Sequence, residues 1–325
     1  MAPEEQPNYE LAGKRVWVAG HTGLVGSALV RRLRREDCTL LLVDHDHLDL
    51  TRQADTEAWM NREKPHVVFV AAARVGGILA NSRYPVDFLY DNLMIGANVI
   101  RTAHAIGVER LLWLGSSCIY PRMAPQPIAE DALLTGPLEP TNEAYAIAKI
   151  AGLKLAEACN RQYGDAFFTV MPTNVYGPND NFDLDSSHVL PALIRKIHEA
   201  RSRGQASVEI WGSGRPLREF IHVDDLADAC VFIARHAGGS GPFNVGTGGE
   251  ISIGDLARLI ADVVGYQGDF RFDAGKPDGA PRKLLDSSHI RSMGWTSRID
   301  IRDGIRDLYR NWLGTVNGAT LPSHV

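Results

Sequence analysis

The sequence is poor in the features that define several protein classes. Its 325 residues include only four cysteines, Cys38, Cys118, Cys159 and Cys230, spread far apart. None forms a C-x-x-C, so neither a zinc knuckle nor a disulfide framework is expected, and a reducing compartment suits the chain. It has no run of Lys or Arg, and 34 basic against 39 acidic residues leave a net charge of −5. That balance argues against nucleic acid or an anionic membrane as partner. No apolar stretch approaches the ~18 residues of a membrane span, and Met1 to Glu10 has neither the basic nor the apolar region of a leader. A cytoplasmic location is therefore expected. Repeats and low-complexity segments are also missing. What is present, 45% hydrophobic and 22% charged residues, is average for a globular chain, and the length suits about two domains.

Apolar periodicity predicts alternating strands and helices. Arg15 to Ala19 reads as a strand, Leu24 to Leu33 as a helix, Thr39 to Val43 as a strand, Asp55 to Lys64 as a helix and Val67 to Ala73 as a strand. A helix from about Asp91 to Ile106 and the strand Arg110 to Leu114 follow; Pro121 to Thr141 reads as a long loop, and Asn142 to Tyr163 as a long helix before the strand Phe167 to Met171. Pro172 to Ser187 is irregular. Beyond it, short strands (Val208 to Trp211, Phe220 to His222) mix with helices (Asp224 to His236, Ile253 to Val264, Ile301 to Leu313). Such alternation predicts an α/β fold, a doubly wound parallel sheet of Rossmann type with a smaller C-terminal substrate lobe. Residues 12–172, rejoined by about 216–245, are expected to form the dinucleotide-binding domain, and 173–215 with 246–325 the lobe.

Gly20-His21-Thr22-Gly23-Leu24-Val25-Gly26 lies between the first strand and first helix. Glycines there permit a tight turn and close backbone approach, so the N–H groups at the helix start face a pyrophosphate; a plain helix-entry turn is the competing reading. Asp44 ends the second strand, where an acid accepts hydrogen bonds from an adenosine ribose, although a solvated loop acid beside Asp46 and Asp49 reads the same way. Tyr145 and Lys149 stand four apart on one helical face, a spacing in which the ammonium is expected to favour the phenolate and so ease proton exchange. Ser116-Ser117 closes the fourth strand, at the sheet edge where such folds place ligands. No metal is expected: His45 and His47 have no distant partner ligands, and after Asn181, Asp183 and Asp185 a calcium loop would need Gly and Glu where Ser186 and Ala192 stand.

Together these features resemble the extended short-chain dehydrogenase/reductases. The blocks Gly115-Ser116-Ser117-Cys118-Ile119-Tyr120-Pro121, Pro140 to Gly152 and Met171-Pro172-Thr173-Asn174-Val175-Tyr176-Gly177-Pro178 are similar to the GDP-L-fucose synthase family within that group. So are Ser187 to Leu193, Arg218 to Asp225, and Lys276-Pro277-Asp278-Gly279. The resemblance implies an enzyme that inverts carbons three and five of GDP-4-keto-6-deoxy-D-mannose and then reduces its ketone with a nicotinamide hydride. It further implies that Tyr145 is the proton donor to the ketone, Lys149 its modulator and a cofactor-ribose contact, Ser116 the orienting hydroxyl, and Cys118 with His188 the acid/base pair of epimerisation. On residues alone, Cys118 equally reads as a buried thiol and His188 as a helix-start histidine.

By the same resemblance the cofactor contacts are Gly20, Thr22, Gly23, Leu24, Val25, Gly26, Asp44, Leu114, Ser116, Tyr145, Lys149, Pro172, Asn174, Val175 and His188. Asn174, Lys196, Trp211, Arg218 and Asp278 would contact the GDP-sugar, with Arg195 a rival to Lys196. The family implies NADP(H). Thr22 and His45, however, stand where its members carry arginines, and with Asp44 nearby they make NAD(H) at least competitive. A homodimer is implied through the long helices. Another nucleotide-sugar epimerase or dehydratase, or a non-catalytic NAD(P)-binding sensor, are the rival readings.

Overall fold

The computed structural model describes residues 8–316 except 239, 240 and 277, so Pro277, the leader reading for 1–7 and the lobe's 317–325 lie outside the described residues. Strands β1 (Arg15–Ala19), β2 (Thr39–Leu41), β3 (Val67–Val70), β4 (Arg110–Leu114) and β5 (Phe167–Pro172), with Pro242–Val245, form one six-stranded sheet. From one edge the order is Pro242–Val245, β5, β4, β3, β1, β2, and every pair is parallel. All side chains of β3 and β5 are buried, as a parallel sheet covered on both faces requires. The order reverses between β1 and β3, which makes their carboxyl ends the switch point where such sheets bind ligands.

Helices α1 (Leu24–Leu33) and α7 (Val223–His236) cover one face through Leu29, Leu33, Leu226 and Ile233. On the other lie α2 (Gln53–Glu63), α4 (Pro85–Ala105) and α5 (Glu143–Tyr163), with α3 (Ile78–Arg83) leading into α4. The fourth helix begins earlier than Asp91 because Pro85 sits at its first turn, where a missing N–H costs nothing. Trp113 of β4 is clasped between α4 and α5; a Cβ on Gly152 would lie 2.5 Å from its indole and one on Gly96 3.0 Å. That close packing brings the site-bearing turn of α5 onto the end of β4.

A separate apolar cluster joins α6 (Val189–Ser202), α8 (Ile253–Val264) and α10 (Ile301–Val316) through Ile194, Ile197, Ile260 and Ile305. Around it lie the parallel pair Ser207–Trp211 with Asp269–Asp273, and a ribbon in which Leu217–Arg218 is flanked by Ile251–Ser252 and Arg282–Lys283. Asn174–Tyr176, expected to be irregular, pairs with Phe220–His222. The segment 288–295, expected in the lobe, instead inserts Ile290 and Trp295 into the core beneath the sheet, where α9 (Ser288–Ser292) packs on Pro242–Val245.

Candidate active site

The glycine turn is built for close contact. Gly20 has φ 81°, and a Cβ there would meet the Ala72 backbone at 2.7 Å; one on Gly26 would overlap the Gly20 carbonyl. Gly23, the N-cap of α1, offers no side chain to the N–H groups of the first turn, which leaves those donors and the positive helix end for an anion. Beside the turn is a cavity of about 390 Å³ lined by Gly20, Thr22, Gly23, His45, Asp49 and Arg74, among others. These residues fit a dinucleotide. Asp44 was expected to face the ribose; its carboxylate lies 3.4 Å from the imidazole of His21, which lines the cavity together with His45 and Asp49. Arg74 belongs to no motif in the sequence, and Asp49 was read there only as a solvated loop acid. Thr51 donates its N–H and O–H to Asp49, holding its carboxyl below the usual range, and Arg74 is fixed by Asp87 at 3.0 Å and Asp91 at 2.9 Å.

At the end of β4, the Ser116 hydroxyl accepts the Cys118 N–H at 3.2 Å and begins a one-turn helix, Ser117–Ile119. Tyr145 faces this turn, with its phenol near the Ser116 hydroxyl and the Cys118 sulfur. The ring of Tyr145 meets Phe88 edge-on, 6.4 Å between centroids. Lys149, 2% exposed, donates to the Leu114 carbonyl at 2.8 Å and sits 4.2 Å above Trp113 and 5.9 Å from the Tyr145 ring centre. In this geometry burial outweighs the expected mutual help. Desolvation pushes the Tyr145 phenol up and Lys149 down to about 7. The tyrosine is therefore held in its protonated, donating form.

Lys149 makes stability pH-dependent. In the unfolded chain it keeps its proton to about pH 10, while in the folded chain it sheds it near pH 7. Between those values the unfolded state binds one more proton, so stability rises with pH, by up to about 1.4 kcal/mol per unit. Thermal melts of cofactor-free protein between about pH 7 and 9 should show a rising Tm that is flatter in Lys149→Met; equal slopes would contradict the assignment.

The other residues fall into two groups. Arg218 lies near Cys118, donating to the Leu217 carbonyl at 2.9 Å and the Asp278 carbonyl at 3.3 Å. Trp211, 43% exposed, has the Lys196 and Lys276 ammoniums each 5.1 Å from its ring centre, whereas Arg195 is committed to Glu199 and the Phe182 carbonyl. The Asp278 carboxylate accepts the Ser213 N–H and O–H, both at 2.7 Å, and so shapes the turn after Trp211. Asn174 spends its amide N–H on the Glu219 carbonyl at 2.7 Å and keeps its oxygen. His188 caps α6, open to solvent yet flanked by enough protein that desolvation lowers its pKa. Among the described residues no hydrogen bond or ion pair joins His188 to Cys118.

Lys283 was missed by the sequence reading. Its ammonium donates to the Cys118 sulfur at 3.8 Å.

Comparison with known proteins agrees with this geometry. Residues 16–246 match the NAD dependent epimerase/dehydratase family. A GDP-L-fucose synthase of Sinorhizobium fredii is 55% identical over 95% of this chain and 99% of its own, and GDP-L-fucose synthase 1 of Arabidopsis thaliana is 55% identical over 93% and 94%. The structure of a GDP-L-fucose synthetase from Naegleria fowleri bound to NADP superposes with a TM-score of 0.88 at 27% identity, covering 98% of this chain and 99% of that one. Residue order, fold and full-length similarity coincide, and the chain belongs to the GDP-L-fucose synthases of the NAD dependent epimerase/dehydratase family.

Proposed function

We propose that the chain converts GDP-4-keto-6-deoxy-D-mannose to GDP-L-fucose by inversion at the two carbons flanking the ketone and reduction of the ketone. The observation that carries this reading is the convergence of Ser116, Cys118 and Tyr145 on one turn at the carboxyl end of β4. A plain reductase or 4-epimerase has no use for that thiol. Bound NADPH supplies the hydride, with the α1 turn holding its pyrophosphate. Ser116 orients the ketone, and Tyr145, protonated through burial, gives its proton to the developing alkoxide. Cys118 and His188 move protons at the neighbouring carbons; desolvation keeps His188 neutral near pH 7 and able to accept one. Arg218, Lys196 and Lys276 supply positive charge for the diphosphate, and Trp211 an exposed ring for the base. Product identification after incubation with the ketosugar and NADPH tests the reading: GDP-L-fucose supports it, and a reduced sugar of unchanged configuration opposes it.

NADP(H) is the cofactor, and the Asp44 carboxylate, from which repulsion of a ribose phosphate is expected, lies 3.4 Å from the His21 ring. Removing the ring takes away the side chain that stands against this carboxylate at the glycine turn. His21→Ala should therefore lower kcat/KM for NADPH relative to NADH by about threefold to tenfold, on the order of 1 kcal/mol. An unchanged ratio would mean that Asp44 does not sense the phosphate.

Two coarser observations support further readings. Among the described residues no helix is long and apolar enough to cross a membrane, and Cys38, Cys118, Cys159 and Cys230 are unpaired thiols, which suits the cytoplasm. Val86, Tyr90 and Leu93 form an exposed apolar row on α4 beside the exposed Ile147 of α5, a face suited to a second copy of the chain.

A further inference from the structure

We propose that Lys283 is a positioning residue for the proton chemistry of Cys118: its ammonium orients the thiol and compensates the charge that sulfur acquires on giving up its proton. This rests on the reading of Cys118 as a proton-moving group. The ribbon of the lobe pairs Lys283 with Arg218 in parallel register, so both cations leave it on one face, above the Ser117–Ile119 turn. The main chain after Lys283 is pinned, with the Leu284 N–H on the Gln126 side chain at 2.9 Å and the Leu285 N–H on Glu219 at 3.1 Å. Arg282 next to it is neutralised by Glu250 at 2.7 Å, whereas among the described residues no carboxylate pairs with Lys283. Arg218 is tied to main-chain carbonyls. Lys283 is thus the cation whose ammonium addresses the sulfur itself.

The step balances without another reactant. As the S–H bond breaks, its electron pair stays on sulfur; the proton joins the enolate carbon through the carbon–carbon double-bond pair, and the ketone re-forms. Negative charge passes from the enolate oxygen to sulfur, beside the Lys283 ammonium. An opposite charge at hydrogen-bond range favours that product and, equally, a thiolate formed by any other route.

Lys283→Met, Lys283→Gln and Lys283→Arg are the variants, with Cys118→Ser and the Cys118→Ser/Lys283→Met double. The first readout is iodoacetamide alkylation of Cys118 against pH, followed by mass spectrometry without nucleotide sugar. The second is solvent-deuterium incorporation into GDP-4-keto-6-deoxy-D-mannose. Lys283→Met and Lys283→Gln should slow alkylation at pH 7 by about threefold or more, and Lys283→Arg should restore most of the rate. Deuterium incorporation should fall about tenfold or more in Lys283→Met, with less than about twofold added in the Cys118→Ser background. An unchanged alkylation profile, or the same further loss without the thiol, would overturn the proposal and make Lys283 a direct sugar or phosphate contact. If Cys118→Ser alone exchanges deuterium at the wild-type rate, the proton role of Cys118 fails, while alkylation still decides whether Lys283 governs the charge on sulfur.

Discussion

Replacing Tyr145 with phenylalanine should lower kcat by about 10²-fold or more, roughly 2.7 kcal/mol of barrier, with little change in NADPH affinity. The substitution is clean. Phenylalanine keeps the ring that meets Phe88 edge-on at 6.4 Å, and removes only the hydroxyl near Ser116. Burial keeps that hydroxyl protonated at neutral pH, so its loss takes away the proton bound for the ketone oxygen and leaves the fold untouched. Lys149 cannot substitute, because its ammonium is directed at the Leu114 carbonyl. Stopped-flow oxidation of NADPH measures the step, with fluorescence titration for the cofactor. Wild-type turnover in a folded Tyr145→Phe enzyme would sink the assignment.

The second large effect belongs to the glycine turn and is best read from a pair of substitutions. In Gly26→Ala the new methyl overlaps the Gly20 carbonyl and comes within 2.8 Å of the His21 Cα, both main-chain atoms, so the turn itself must move. NADPH binding should weaken by about 10²-fold or more and the fold should lose about 1–3 kcal/mol. Gly23→Ala isolates the cofactor's part. Its Cβ would meet only the Gly20 carbonyl, at 3.6 Å, and φ −76° with ψ 176° suits alanine. The melting temperature should therefore stay near wild type while NADPH affinity drops by about tenfold or more, because the methyl fills the space a pyrophosphate approaches. Tight NADPH binding by Gly23→Ala would place the cofactor elsewhere.

Much of this was legible locally. Arg15–Ala19, Arg110–Leu114, Phe220–His222 and Ile253–Val264 match their expected bounds, because each is a run whose period agrees with its burial. Pro242–Val245 was missed: four residues between glycine-rich stretches of sequence carry no period, and pairing with β5 makes them a strand. The site residues were recognisable from their motifs, but their electrostatics were not. Four-residue spacing predicts a cation beside Tyr145, yet only the tertiary packing around Trp113 shows Lys149 buried and its pKa depressed. Asp44 and Asp278 carry charges whose partners, His21 and Ser213, no spacing rule names. Lys283 was invisible for the same reason: it reaches Cys118 across 165 residues from a two-residue strand.

The central claim is that one site both inverts the sugar and reduces it. It is tested most directly by the reaction in D₂O, with GDP-4-keto-6-deoxy-D-mannose, NADPH and wild-type, Cys118→Ser or His188→Asn enzyme, the products resolved by NMR. Wild type should give GDP-L-fucose carrying solvent deuterium at carbons three and five, and each variant should lose most of that label while still binding NADPH. A reduced sugar of unchanged configuration without deuterium from wild type, or full labelling by both variants, would contradict it.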